Sequence, residues 1–431
     1  MASDKKRGFQ TDLIHAGQVP DPTENSRGIA IHRSASFVFK SAEHAANLFG
    51  LKEFGNIYGR LTNPTNAVLE NRLTAVEGGA AAVTAASGTA AIFNTVVTIA
   101  RVGDEIVSAS NLYGGTYTLF DAIFPDLGIN TKFGDVRDPA SLEKLITDKT
   151  KILYLESIGN PALDVADIPA FAKIAQKHHI PLVVDNTFAT PYLLRPLDLG
   201  ANIVIESLTK WIGGHGSALG GAVIDGGTFD WSDPKFTLFT QPDKNYHGLR
   251  WAIDLSPDLK KIAFALRNRT VPLRNIGATL SPDNAWIFIQ GLESLSVRVA
   301  RHVENSLAVA EHLKKHSKVS WVRYPGLKDD PTYPIANRLL TKGFGGVVVF
   351  GVKGGRSAGE KFIESLGLFS HLANVGDTKS LALHPASTSH SQLTEEQQRE
   401  AGLTPDLVRL SIGLEDIDDI IGDLDQALEK I

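Results

Sequence analysis

The chain has 431 residues, is 43% hydrophobic, and carries a formal net charge of -5 with no cysteine. That length supplies core material for two or three structural domains, and the slight acidity leaves no basic excess for a phosphate backbone, which argues against a nucleic-acid partner. Lack of cysteine removes disulfides, thiolate metal sites and a cysteine nucleophile together.

In chain order, the opening "MASDKKRGFQTD" lacks the apolar core of a secretory signal, and no apolar run approaches the roughly 20 residues of a spanning helix. The expectation is a cytoplasmic protein with no membrane attachment. The first 60 residues show little periodicity and read as an extended arm. From about residue 80 to 225, short apolar runs alternate with amphipathic ones: "DEIVSAS", "INTKFGD", "KILYLES", "PLVVDNT", "NIVIESLT" and "LGGAVID" read as strands, and "IPAFAKIAQKHH" as a helix. Apolar strands each followed by a helix predict an α/β fold with a mainly parallel sheet covered on both faces. Ligands of such sheets gather beyond the strands' carboxyl ends, where Glu156, Asp185 and Ser207 fall. An aromatic-rich insert at 226–251 predicts a long ordered loop, because a disordered linker rarely holds so many rings. Beyond it, "AWIFIQGLESLSVRVARHVENSLAVAEHLKK" predicts a long amphipathic helical stretch, and "GGVVVFGV" and "LVRLSIGLE" predict strands of a smaller C-terminal α/β domain.

Several fingerprints are absent or weak. No G-x-x-x-x-G-K-[ST] string occurs, and "GGHGSALGG" precedes a strand where a dinucleotide loop would follow one. His384 and His390 in "HPASTSH" have no third ligand nearby in sequence, so no metal is expected. In "AASGTAAIF", Ser87, Gly88 and Thr89 stand where a helix begins; the segment reads either as an N-cap or as a phosphate nest. Asp185 ends an apolar strand, either as a turn former or as a fixed negative charge. Ser207, Thr209 and Lys210 end the next strand, followed by glycines that let the backbone turn tightly beside a bulky ring. A phosphate nest, an aspartate and a lysine in this order match pyridoxal phosphate, whose aldehyde condenses with a lysine, whose ring nitrogen needs an acid, and whose phosphate wants amides and hydroxyls.

On these residues the chain resembles the Cys/Met-metabolism family of pyridoxal-phosphate enzymes from about residue 9 to 430. The strings that carry the likeness are "YGRLTNPT", "SGTAAI", "LYGGTY", "ESIGNP", "VVDNTFATP", "SLTKWIGGHG", "HPASTSH" and "VRLSIGLE". The resemblance implies fold type I, the aspartate aminotransferase-like fold: an arm at 1–62 contributing to a neighbouring subunit's site, a cofactor-binding domain at 63–271 and a C-terminal domain at 272–431. It implies that Lys210 holds the cofactor, Asp185 pairs with its ring nitrogen, Tyr113 stacks on it and Asn160 bonds its phenolic oxygen. Ser87, Gly88, Thr89, Ser207 and Thr209 would bind the phosphate, joined by Tyr58 and Arg60 from the neighbouring subunit, so a homotetramer built as a dimer of dimers is expected. Arg409 would grip the substrate carboxylate, with Ser380, Asn160 and Tyr58 also lining the substrate, and Lys210, Tyr113 and Asp185 would be the catalytic set.

Within the family, Gly115 stands where methionine γ-lyase has cysteine, and Lys379 stands where cystathionine synthases and lyases have glutamate. With the aromatic insert, both departures resemble the O-acetylhomoserine sulfhydrylase branch. That implies γ-replacement on O-acetyl-L-homoserine by sulfide or methanethiol, giving homocysteine or methionine. Competing readings are cystathionine γ-synthase or γ-lyase, methionine γ-lyase, and a pseudoenzyme that kept the fold; a moonlighting RNA binder lacks any basic stripe.

Overall fold

The computed structural model of the chain describes residues 7–388 and 402–431. Two short helices interrupt the N-terminal arm, α1 (Phe9–His15) and α2 (Ala42–Phe49). The second forms because the Ser41 hydroxyl accepts from the His44 N–H at 3.0 Å, a cap that periodicity does not register. Next comes α3 (Pro64–Glu77), opened by Asn63, whose side chain accepts from Thr65 N–H, with proline first in the helix and Gly78 closing it at φ 75°.

Seven strands follow: β1 (Ala81–Ala85), β2 (Glu105–Ala109), β3 (Asn130–Gly134), β4 (Thr150–Glu156), β5 (Leu182–Asp185), β6 (Ile203–Glu206) and β7 (Gly221–Asp225). They form one sheet in the order β1-β7-β6-β5-β4-β2-β3. The β2–β3, β2–β4 and β4–β5 pairs are parallel, while β1 runs antiparallel to β7. Every residue of β4, β6 and β7 is buried, which explains why these strands read as continuous apolar runs without alternation.

The chain divides into two compact units, one comprising residues up to Ile99 with Ile205–Thr209 and Ala218–Glu293, the other Ala100–Val204, Lys210–Ser217 and Ser294–Ile431. In the first, the aromatic insert is ordered around Trp231, which stacks on Phe239 at 4.2 Å and meets Phe229 and Phe236 edge-on. Two polar bonds fix its far end: Trp251 Nε1 donates to Asp243 at 2.9 Å and the Tyr246 hydroxyl to the Phe49 carbonyl at 2.7 Å. In the second unit a five-stranded sheet has the order β10-β11-β12-β9-β8, from β8 (Val319–Arg323), β9 (Val347–Val352), β10 (Ser370–His371), β11 (Leu381–Leu383) and β12 (Leu407–Ser411). Its core joins Val348, Phe350, Val408 and Leu410 to helix residues Val309, Phe362 and Leu424. The long helical stretch expected near residues 285–315 is two helices, Pro282–Glu293 and Leu295–Lys315, parted at Ser294, whose backbone leaves helical dihedrals at φ -106°, ψ 3°. The Ser294 hydroxyl accepts from Arg298 Nε at 3.1 Å, the kind of local side-chain bond that competes with a helix.

Candidate active site

Lys210 follows β6 in a tight turn and is partly buried. Its Nζ donates to Asn374 Oδ1 at 2.6 Å. Burial, helped by the nearby Arg409 charge, lowers its pKa from 10.5 to about 8, so a sizeable fraction of the amine is uncharged near neutrality. The turn is held from behind by the buried Arg298, which donates to the carbonyls of Trp211 at 2.7 Å and Ile212 at 3.1 Å. Gly214, at φ 73°, has no room for a side chain, since a Cβ there would stand 2.1 Å from Arg298 Nη1. The tight turn expected of the glycines in "WIGGHG" is present at Gly214, and the side chain packed closely against it is that of Arg298.

Parallel pairing of β4 and β5 sets Glu156 opposite Asp185. Asp185 Oδ1 accepts from Thr187 N–H at 3.0 Å and Oδ2 from the Tyr154 hydroxyl at 3.4 Å. The turn-forming reading of Asp185 is thus observed, and it does not exclude the reading of the same side chain as a fixed charge. Burial pushes the Asp185 pKa up against the lowering effect of those bonds, and it pushes Glu156 well above the carboxylate range, with Asp185 adding repulsion. Glu156 accepts from the N–H groups of Tyr113 at 2.7 Å and Asn160 at 3.0 Å. It thereby fixes the start of α5 (Gly114–Thr118), where the half-exposed Tyr113 ring stands. Among the described residues neither carboxylate forms an ion pair.

Arg409 lies on β12, 5% exposed, and donates to Asn160 Oδ1 at 3.0 Å and to the Asn374 carbonyl at 3.4 Å. Burial lowers its pKa to about 10, and among the described residues no carboxylate pairs with it. A buried guanidinium that lacks an anion is poised for an anionic ligand. Asn374 accepts from both Lys210 and Arg409, so the amine and the guanidinium meet at one residue.

In the other unit, the Ser87 hydroxyl accepts from Ala90 N–H at 3.1 Å and caps α4 (Gly88–Ile99), so the N-cap reading holds as well. A Cβ on Gly88 would lie 2.7 Å from the Ser207 Cβ and 2.9 Å from its hydroxyl. The backbone there approaches Ser207 closely, at the N-terminus of the helix. Thr89 is exposed. The Thr209 hydroxyl is engaged with Gly220, donating to its carbonyl at 3.2 Å and accepting from its N–H at 3.0 Å. Tyr58 and Arg60 are exposed, with the guanidinium 4.9 Å from the ring centroid. In the Lys210 unit, Ser380 is buried and its hydroxyl donates to Glu415 at 2.9 Å and accepts from Gly413 N–H at 2.9 Å. His384 Nε2 lies 2.9 Å from the Pro405 carbonyl; His390 falls outside the described residues. Among the described residues no cluster of histidine or acidic side chains is arranged to hold a metal ion, and no helix is long and apolar enough to cross a membrane.

Lys210, Asp185, Tyr113, Asn160 and Arg409 are thus brought together in one unit, with three residues that sequence reasoning did not assign a role. Glu156 and Tyr154 sit at the polar end of "KILYLES", where a strand-end acid was a visible signal. Asn374 lies 164 positions from the lysine it touches and carries no local signature. Pyridoxal phosphate fits this set: a cationic ring answers the unpaired carboxylates, an aldehyde suits an amine of lowered pKa, and Arg409 remains free for an amino acid's carboxylate.

A family model described as Cys/Met metabolism PLP-dependent enzyme matches residues 10–429. The chain is 51% identical to an O-acetyl-L-homoserine sulfhydrylase of Leptospira meyeri, over 98% of this chain and 97% of that one. It is 49% identical to O-acetyl-L-homoserine sulfhydrylase 1 of Thermus thermophilus, over 97% and 99%. Among solved structures it resembles one from Campylobacter jejuni described as an O-acetylhomoserine (thiol)-lyase with an N'-pyridoxyl-lysine-5'-monophosphate, with TM-score 0.94, 40% identity, and coverage of 98% of this chain and 100% of that one.

Proposed function

The chain belongs to the Cys/Met metabolism family of pyridoxal-phosphate-dependent enzymes and has their fold type I architecture, and from that premise we propose that it converts O-acetyl-L-homoserine and sulfide, or a small thiol, to homocysteine or its thioether and acetate. The observation that carries this reading is the meeting of Lys210 and Arg409 at Asn374, which sets a proton-accepting amine beside a guanidinium that lacks an anion. An α-amino acid presents the matching groups, an acidic Cα–H beside a carboxylate. The two relatives named sulfhydrylases support the choice of acetyl ester and sulfide.

When bound, pyridoxal phosphate supplies an aldehyde for the substrate's amine and a protonated ring that withdraws electrons from Cα. In this reading Arg409 holds the substrate carboxylate in a two-point grip and so fixes the direction of the Cα–H bond. Lys210, with its pKa lowered to about 8, would accept the Cα proton and, only after passing that proton on and regaining its lone pair, take the proton at Cβ as acetate leaves Cγ. Sulfide adds at Cγ, and Lys210 returns the protons. Asp185 would hold a proton at the ring nitrogen, Tyr113 would cover the ring, and Asn160, fixed through Glu156, would bond the phenolic oxygen. Ser87, Gly88, Thr89, Ser207 and Thr209 would bind the phosphate, with Tyr58 and Arg60 given by a neighbouring subunit of a homotetramer.

Gly115 bears on the choice among family activities. A Cβ there would lie 2.6 Å from Tyr113 Cε1, so a cysteine, the methionine γ-lyase residue at this position, would displace the ring from its present place. The experiment is a direct comparison of homocysteine formation from O-acetylhomoserine, O-succinylhomoserine and cystathionine. The proposal expects the acetyl ester with sulfide to be the best substrate pair; faster turnover of cystathionine would replace it.

A further inference from the structure

Glu156 is a buried acid that the reaction above does not use directly. It lies opposite Asp185 on adjacent parallel strands, about 4.8 Å apart along the hydrogen-bonding direction. Among the described residues its two oxygens accept only from backbone, Tyr113 N–H at 2.7 Å and Asn160 N–H at 3.0 Å. Two carboxylates side by side away from water, with no ion pair among the described residues, are stable as charges only when a cation joins them. We propose that the cofactor's ring cation is held by a carboxylate pair, Asp185 in contact and Glu156 behind it, so that Glu156 is a positioning residue whose charge strengthens cofactor binding.

The inference rests on the cofactor reading above. It differs from the simpler view that Glu156 only ties down two loops, and pH separates the two. Asp185 on β5 and Tyr154 on β4 act on it directly, Tyr113 and Asn160 through their N–H groups; Arg409 and Lys210 lie one residue further off, on Asn160 and Asn374. Because burial and the neighbouring Asp185 push its pKa up, Glu156 sheds its negative charge at a higher pH than an ordinary glutamate does. Comparing wild type with a variant at each pH cancels the titration of Lys210, which both share.

The test is the dissociation constant for pyridoxal phosphate of wild type and Glu156→Gln after cofactor removal, measured by fluorescence titration across the neutral and alkaline range. A neighbouring charge shifts an acid's hold on a proton by about one unit or more, so Glu156→Gln is expected to bind about tenfold more weakly on the alkaline side, with the gap closing as pH falls. Equal affinities, or a gap that does not change with pH, would overturn the proposal. Glu156→Asp keeps the charge while shortening the reach to both N–H groups, so it should follow the wild-type pH dependence. Should the glutamine variant not fold, loss of that dependence in the aspartate variant overturns the proposal and its retention supports it. Wild type that binds no pyridoxal phosphate would overturn the functional reading and this one together, whereas equal binding by variant and wild type overturns this one alone.

Discussion

Replacing Arg409 with methionine separates binding of substrate from stability of the fold. Arg409 is 5% exposed and burial lowers its pKa from the ordinary arginine value to about 10, so holding the charge costs the cofactor-free protein about 3 kcal/mol. Its bonds to Asn160 and the Asn374 carbonyl return about 1 kcal/mol each. Methionine fills similar volume and removes both the cost and the bonds, so the melting temperature of the cofactor-free protein should stay within about 4 °C of wild type. Substrate loses two charge-assisted bonds to its carboxylate, about 3 to 6 kcal/mol together, and kcat/KM for O-acetylhomoserine should fall by about a hundredfold to ten-thousandfold. The assay is homocysteine release under sulfide excess, with calorimetry on the same preparations. A kcat/KM within about tenfold of wild type would refute the assignment of Arg409 to the carboxylate, and a melting temperature lowered by about 10 °C or more would refute the energetic argument.

Two further outcomes follow from the geometry. Capture of pyridoxal phosphate by cofactor-free protein needs the uncharged Lys210 amine, so its rate should rise about tenfold per pH unit and level off near pH 8; a stopped-flow rate that keeps climbing toward 10.5 would show an unperturbed lysine. In Arg409→Met the like charge is gone, and the levelling point should move upward. Gly88→Ala forces a Cβ to 2.7 Å from the Ser207 side chain; overpacking of that kind costs about 1 to 3 kcal/mol, and cofactor affinity in a fluorescence titration should drop about tenfold or more, while an unchanged dissociation constant would contradict a phosphate site there.

What could be read in the sequence was what is encoded locally. β2 to β7 each coincide with one of the runs read as strands, most plainly β4, β6 and β7, where burial on both faces favours apolar residues; β3 at the end of the sheet is only partly buried. Lys210 and Asp185 were visible because strand carboxyl ends are where such sheets place polar chemistry. Contacts that close over long separations left no local trace: Asn374 on Lys210, Arg298 behind the lysine's turn, and Asn160 on Arg409. The helix break at Ser294 was hidden because apolar spacing runs on through it, and α2 was hidden because its evidence is a single serine cap. The bonds that the Thr209 hydroxyl makes with Gly220, eleven positions on, likewise carry no local signature.

The central claim is that the amine of Lys210 is where pyridoxal phosphate attaches. Protein reconstituted with the cofactor, reduced with borohydride, digested and analysed by mass spectrometry should carry one pyridoxyl group, on the peptide containing "SLTKWIGGHG" and at Lys210. A pyridoxyl group on a different lysine, or no label after full reconstitution, would contradict the account.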